Sequence, residues 1–352
     1  LILEIDPLNT SIVQEKELIM TKIEKWGDSQ QYHAEPHEVE EGSGGVQPKV
    51  TLLTMTERPL SVLAAFCAMY EGRVVRDLGE MKEEDMIRAL DDVQKTHLQA
   101  PLEAIKLHFL IEGVDRAFTH QLVRQRTAVY AQESLRFAVV GDLFSATTLP
   151  PSLAETSPTT DRQTILERGL NNLLSDGEFG KLSAEDRQRA VWDYVIGVVG
   201  AGYDYLANSS GMPAEEARGL LPHATATRLH YITDLRNLKE HAGNRLCTQA
   251  QFHWRSVFLQ IVDQVRNFGD GWQYKALADS ALFRPVCYQL GRCPFQASFD
   301  RECIIRSRVE AFARAGVPSS QWQTDEWMTA EENGLSAINP AEWALLPDAA
   351  RA

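Results

Sequence analysis

Two runs in this chain are apolar or β-branched at alternate positions: Ile105, Leu107, Phe109 and Ile111, then Thr225, Thr227, Leu229, Tyr231 and Thr233. A period of two places alternate side chains on opposite faces of a pleated strand, so each run buries one face only. Between and around them lie stretches with helical periodicity. Such a chain must bring distant strands together under helices. No regular βαβ repeat, internal repeat or glycine-rich phosphate loop is present, which favours an α+β fold over a doubly wound sheet.

The remaining expectations follow from local pattern. Val50 to Thr54 reads as a strand, and Thr56 as the cap of a helix to Tyr70 that buries Leu60, Leu63, Phe66, Cys67 and Tyr70. A helix is expected near Glu83 to Thr96. Gly113 should break the first alternating strand, and Asp115 to Arg126 should form a helix with Phe118 and Leu122 inward. Ser134 to Val140 looks extended, and 141–160 looks like a Pro/Ser/Thr-rich loop. Ser183 with Asp186 should start a long helix to about Leu206. Pro213 suits a helix N1 position, and Thr248 with Gln251 a capping box for a helix to Gly269. Three regions result: a polar N-terminal extension over 1–47 with a modest helix near Ile12 to Ile23, a compact part over 48–270, and a C-terminal extension over 271–352 with a helix at Ile304 to Ala315.

Charge limits the functions available. Thirty-five Lys and Arg against 49 Asp and Glu give a net charge of −14, which argues against coating a nucleic-acid polymer. The longest apolar stretch, Leu60 to Tyr70, is too short to span a bilayer. There is no basic, then apolar, leader pattern at the start, and five cysteines is an odd number. A reducing, cytoplasmic setting is expected. Cys287, Cys293 and Cys303 are spaced more widely than the usual tight zinc pairs and read as buried or loop thiols, with a zinc site at these three as the lesser alternative. His33 and His37 read as solvated linker histidines.

Within this acidic chain, four arginines and one acidic residue fall between 116 and 136: Arg116, Arg124, Arg126 and Arg136 against Glu133. On a continuous helix Arg116, His120 and Arg124 share a face. Gln121, Gln125, Gln132 and Ser134 add neutral hydrogen-bonding groups, and arginine suits planar recognition of phosphate. A solvated helix face explains the same spacing equally well. A second cluster holds Arg218, Arg228, Arg236 and Arg245, with Asp234, Glu240, His223, His230 and His241 among them.

Taken together, the clusters resemble flavin-dependent thymidylate synthases, the ThyX family. Arg124-Gln125-Arg126, seven residues and then Ser134 is similar to that family's Arg-His-Arg-x7-Ser signature. Ala217-Arg-Gly-Leu-Leu-Pro222 resembles its Ala-Arg-x-x-Leu-Pro element. Asp234-Leu-Arg236 resembles its Asn-x-Arg, and Arg245 with Ala250-Gln251 its Leu-Arg…Ala-Gln. Order and spacing agree over roughly residues 48–270.

The resemblance implies a mainly antiparallel central sheet surrounded by helices, in a homotetramer with sites at subunit junctions. It implies bound FAD, reduced by NADPH, and transfer of a one-carbon unit from methylenetetrahydrofolate to C5 of dUMP. Gln121, Gln132, Ser134, Arg136 and Arg218 would hold dUMP. Arg245 would meet the uracil carbonyls and stabilise charge as C5 becomes nucleophilic. Arg124, Gln125, Arg126, Asp234, Arg236 and Glu240 would contact FAD. This chain departs from the pattern at Gln125 for His, Val129 for Ser, Phe137 for Tyr, Asp234 for Asn and Glu240 for Asn or His. Pro101-Leu-Glu-Ala104 also lacks a customary His. A C5-hydroxymethylating relative and a non-catalytic nucleotide binder are the alternatives.

Overall fold

The computed structural model describes residues 32–38, 45–154 without 97 and 98, 179–290 without 248, 249 and 270, 292–295, and isolated positions at 156, 169, 175, 177 and 314. The expected helices at Ile12 to Ile23 and Ile304 to Ala315 lie outside these residues (Arg314 apart), as does Cys303.

The elements in chain order are β1 (Tyr32–His33), β2 (Lys49–Met55), α1 (Pro59–Tyr70), α2 (Glu83–Lys95), β3 (Lys106–Asp115), α3 (Arg116–Leu122), β4 (Val129–Gln132), β5 (Ala138–Val139), α4 (Pro151–Ala154), α5 (Ala184–Asp204), α6 (Ala214–Ala217), β6 (Ala226–Asp234), α7 (Leu235–Arg245), α8 (Phe252–Arg266), α9 (Trp272–Asp279) and α10 (Val286–Leu290). Strands β2, β3, β6 and β4 form an antiparallel sheet in that order. The two alternating runs are its central pair, in register from Lys106 opposite Asp234 to Asp115 opposite Ala226. The fold is α+β, as the pattern requires.

One sheet face is the core face. Leu107, Phe109, Ile111, Leu229 and Tyr231 pack there with Leu60 and Leu63 of α1 and Trp254, Phe258 and Ile261 of α8, all at most 1% exposed. Strand β2 is tied to α8 by side-chain amides. Gln260 and Gln264 accept from the backbone N–H of Val50 and Leu52 at 2.9 and 3.0 Å. The opposite face is open, with His230 and Val129 exposed and Ile232 38% exposed. A second cluster packs Leu135, Val139, Val140 and Leu143 against Ile196 and Tyr203 of α5.

Several local expectations give way to tertiary contacts. Thr56 does not cap α1; its Oγ1 accepts from Lys106 N at 2.9 Å. The helix starts after Arg58, which sits in the left-handed region at φ 49°. Phe66 and Tyr70 are 45% and 59% exposed, so α1 buries a narrower face than its composition suggests. Helix α3 stops at Leu122, because Val123 and Arg124 turn towards β4. The strand expected at Ser134 to Val140 sits partly upstream: Val129–Gln132 pairs with β6, and Leu135 to Phe137 form a turn. Pro213 is the N-cap of α6 rather than N1. Gln251 is the N-cap of α8, which ends at Arg266; Thr248 lies outside the described residues.

Helix α5 matches its expectation, with Ser183 Oγ accepting from Asp186 N at 3.0 Å. It ends at Asp204 and continues as a π turn, Tyr205–Ser209. The ends of the chain are less separate than composition suggests. Leu277, Leu282 and Phe283 are fully buried in the main core. Tyr32–His33 pairs in parallel with Ala138–Val139. His37 is half-buried rather than solvated, because Glu35 beside it anchors this segment to Arg228.

Gly113 does not end β3. It adopts φ +67° at a register shift between Ile111 and Val114, and the strand continues to Asp115. A Cβ there would lie 2.1 Å from the Gln47 carbonyl oxygen. Gly113→Ala is therefore expected to cost about 2 kcal/mol or more, from left-handed strain and displacement of the 45–48 segment. Urea denaturation of the variant beside wild type measures this.

Candidate functional site

Helices α3 and α7 grow directly from the ends of the central strands, and an aspartate caps each. Asp115 accepts from Phe118 N at 2.6 Å, and Asp234 from Asn237 N at 3.0 Å. Both aspartates are buried. Asp234 is thus a structural cap with a second partner, Lys106 Nζ at 3.2 Å. Asn and Asp cap about equally well, so this departure from the family pattern preserves the local geometry.

The C-terminal ends of the two helices meet. Gln121 Oε1 accepts from Arg245 Nη1 at 3.1 Å and from the Trp254 indole N–H at 3.0 Å. Its amide nitrogen donates to Gln251 Oε1 at 2.9 Å. The Arg245 guanidinium lies 4.2 Å from the centroid of the Trp254 ring, a cation–π contact. Burial lowers the Arg245 pKa, and the group stays a cation because arginine starts so high. Two neutral hydrogen-bonding side chains and one stacked guanidinium are held here in fixed orientation.

A second group surrounds a cavity of about 400 Å³ lined by Gln132, Ser134 and Arg218, with Arg116, His120 and His223 also on its wall. Gln132 is steadied by Thr119 Oγ1 at 3.1 Å. Arg218 Nε donates to the Glu215 carbonyl at 3.0 Å. Glu133, on the same wall, has its pKa raised by burial, against the pull of Arg228 and Arg116. Arg136 stands outside this lining, paired to Glu215 at 2.9 Å. His120, His223 and Arg116 had no assigned role in the sequence; only the fold brings them beside Ser134 and Arg218.

The flavin candidates divide. Arg124 and Arg126 are exposed and have no side-chain partner among the described residues. Arg236 is held by Glu103 at 2.5 Å and Glu240 at 3.7 Å. Gln125 turns inward, where its Oε1 accepts from the Tyr231 hydroxyl at 2.6 Å. Burial pushes the Tyr231 hydroxyl well above the usual range and the Tyr130 hydroxyl to about 12, so both remain donors at neutral pH. Among the described residues no cluster of His, Cys, Asp or Glu is able to hold a metal ion.

Two predictions follow from these contacts. Asp234→Ala should lower stability by about 1 kcal/mol through loss of the cap, whereas Asp234→Asn should be near neutral; thermal melts of both distinguish the cap from a purely electrostatic role. Burial also lowers the His37 pKa to about 4, and burial followed by Arg245 does the same for His241. Both start from 6.5. The unfolded chain therefore binds more protons between those values, so stability is full above about pH 6.5 and falls as pH drops towards 4. Denaturation across that window should show a shallower slope for His241→Gln than for wild type.

Comparison with known proteins places these residues in context. A family model described as "Thymidylate synthase complementing protein" matches residues 51–268. The flavin-dependent thymidylate synthase of Pyrococcus abyssi is 27% identical over 264 residues, covering 74% of this chain and 95% of that protein. That of Nitratidesulfovibrio vulgaris is 30% identical over 218 residues, covering 60% and 79%. The structure of the UMP/dUMP methylase PolB from Streptomyces cacaoi, bound with 5-Br dUMP, shares the fold at a TM-score of 0.50 and 20% identity, covering 68% of this chain and 98% of PolB. With its matched region spanning the sheet, both capped helices and both polar clusters, the chain belongs to the thymidylate synthase complementing protein family.

Proposed function

We propose that this chain is a flavin-dependent thymidylate synthase. It transfers a one-carbon unit from methylenetetrahydrofolate to C5 of dUMP, giving dTMP, with FAD and NADPH. The carrying observation is the division of the nucleotide-binding candidates into two preorganised groups. Gln121 and Arg245 form one, locked by Trp254 and Gln251. Gln132, Ser134 and Arg218 form the other, around the 400 Å³ cavity.

Each group suits a different part of the nucleotide. Gln121 and Arg245 present amide and guanidinium donors for uracil carbonyls. Arg245, fixed on the Trp254 ring, stabilises negative charge on the pyrimidine as C5 becomes nucleophilic, without reorganising at that moment. Ser134 and Arg218 suit the phosphate. No cysteine nucleophile is needed: burial raises the Cys67 thiol pKa, which suits packing rather than attack.

Bound FAD would supply the reducing equivalents, drawn from NADPH, that convert the transferred carbon to methyl. Arg124 and Arg126 fit its diphosphate, since they offer exposed guanidiniums that no described side chain engages. Arg236 joins them on exchange of Glu103 or Glu240 for the ligand. Gln125 shapes the floor through Tyr231 rather than carrying a charge. The working unit in this reading is a homotetramer whose sites are completed between subunits, with one polar group from each of two chains. The open sheet face offers unburied apolar surface for such assembly.

The direct test is incubation with dUMP, methylenetetrahydrofolate, FAD and NADPH, followed by mass analysis of the nucleotide. A gain of one CH2 unit supports the reading; a hydroxymethyl product or unchanged dUMP overturns it. Subunit sharing makes a separate prediction. Gln121→Ala and Arg218→Ala should each lower activity about tenfold or more. Mixed and allowed to exchange subunits, the two variants should regain activity above the sum of the parts. Additive residual activities would place each site within one chain, and light scattering reads the oligomer directly.

A further inference from the structure

The cavity beside Ser134 holds more positive charge than the chain itself neutralises. Arg116 and Arg218 both line it, and burial first, then the Arg218 charge, lowers the Arg116 pKa, against the pull of Glu133. Glu133 is the acidic residue in the lining, and Arg228 already draws on it at 4.0 Å while also binding Glu35 at 3.1 Å. Arg116 is half-buried. Its Nη2 reaches the Glu133 carbonyl oxygen only at 3.5 Å, and its Nε is buried without a protein partner. Two guanidiniums on the wall of one cavity, one of them under-coordinated, suit an anion between them. The placement is fixed: Arg116 opens α3 directly after the Asp115 cap, and its backbone N–H donates to the His223 carbonyl at 3.0 Å. The ligating chain segments on both sides of the cavity are therefore joined through Arg116 itself.

We propose that Arg116 is a phosphate-binding residue of the nucleotide site, acting with Arg218 and Ser134 on one dianionic phosphomonoester. The inference rests on the reading of this cavity as the nucleotide's phosphate pocket. It adds a residue that the sequence signature does not reach, eight positions before Arg124. A phosphate there receives two charge-assisted donors and the Ser134 hydroxyl. It also relieves the repulsion between Arg116 and Arg218. Arg136, engaged by Glu215, is then a second line of contact rather than the principal anchor.

The experiment compares dUMP with deoxyuridine, which lacks the phosphate, by calorimetry on full-length wild type, Arg116→Gln, Arg116→Lys and Arg218→Gln. Arg116→Gln is expected to weaken dUMP binding about tenfold or more while deoxyuridine binding is unchanged, and Arg116→Lys to recover part of the loss. Wild-type dUMP affinity in Arg116→Gln together with a loss in Arg218→Gln overturns the proposal and leaves the cavity reading intact. Unchanged dUMP affinity in both overturns the cavity reading as well. Equal loss for dUMP and deoxyuridine assigns Arg116 a folding role and overturns the proposal. A mutation-free arm uses phenylglyoxal, which labels arginines, read by peptide mass mapping. Saturating dUMP should protect Arg116 in the wild type and deoxyuridine should not; equal labelling with and without dUMP overturns the proposal.

Discussion

The pairing of β3 with β6 fixes where everything else goes. The strands run antiparallel from Lys106 opposite Asp234 to Asp115 opposite Ala226, so each ends where the other begins. At each end an aspartate caps a helix that turns back. The helix starts are thus separated by the strand length, roughly 30 Å at about 3.4 Å per residue. Helix α3, of 7 residues, and α7, of 11, cover together about 27 Å at 1.5 Å per residue. That is why their far ends meet, and why Gln121 finds Arg245. A strand shorter by two residues would drive these ends past one another; a longer one would leave the guanidinium without its amide.

The same geometry explains the division of polar residues. Arg116 and Arg218 gather near the start of α3, and Gln121 and Arg245 near its end. A helix of about two turns thus carries a representative of each group, its ends facing different neighbourhoods. Trp254 links the Gln121–Arg245 group to the core, because its ring packs on Phe118 at 4.2 Å between centroids while its N–H holds Gln121. Core packing and site orientation share one side chain.

The central strands were legible because alternation is a local signal, which β3 carries as far as the register shift at Gly113 and β6 over most of its length. The cap at Ser183 was legible for the same reason. What escaped the sequence depended on partners far away. Gly113 reads as a breaker, but its left-handed conformation accommodates Gln47 inside a continuing strand. Arg124 reads as part of a helical stripe, yet the chain must leave α3 to supply β4, which parts it from Arg116 and His120. Gln125 occupies a signature position, and only tertiary structure shows its side chain committed to Tyr231. The donor groups of the cavity come from α3, β4, the turn after it and the stretch after α6, a convergence no spacing rule contains. Residues 272–283 looked like the start of a tail because their composition is mixed, whereas their apolar side chains complete the core under α8.

If Arg136 meets the nucleotide as proposed, its pair with Glu215 would make ligand arrival there an exchange of counter-ions rather than the capture of an anion by a bare cation. Both side chains are about half exposed, so the pair itself contributes at most about 1 kcal/mol. A phosphate displacing the carboxylate would meet a guanidinium still half in solvent, and would release Glu215 to the solvent. Glu215 stays on the chain beside the site, so the patch would become more negative on filling, and the guanidiniums of Arg116 and Arg218 would be needed to offset it. Selectivity follows from valence: a dianion outcompetes the single charge of a carboxylate, whereas a neutral nucleoside has nothing to exchange.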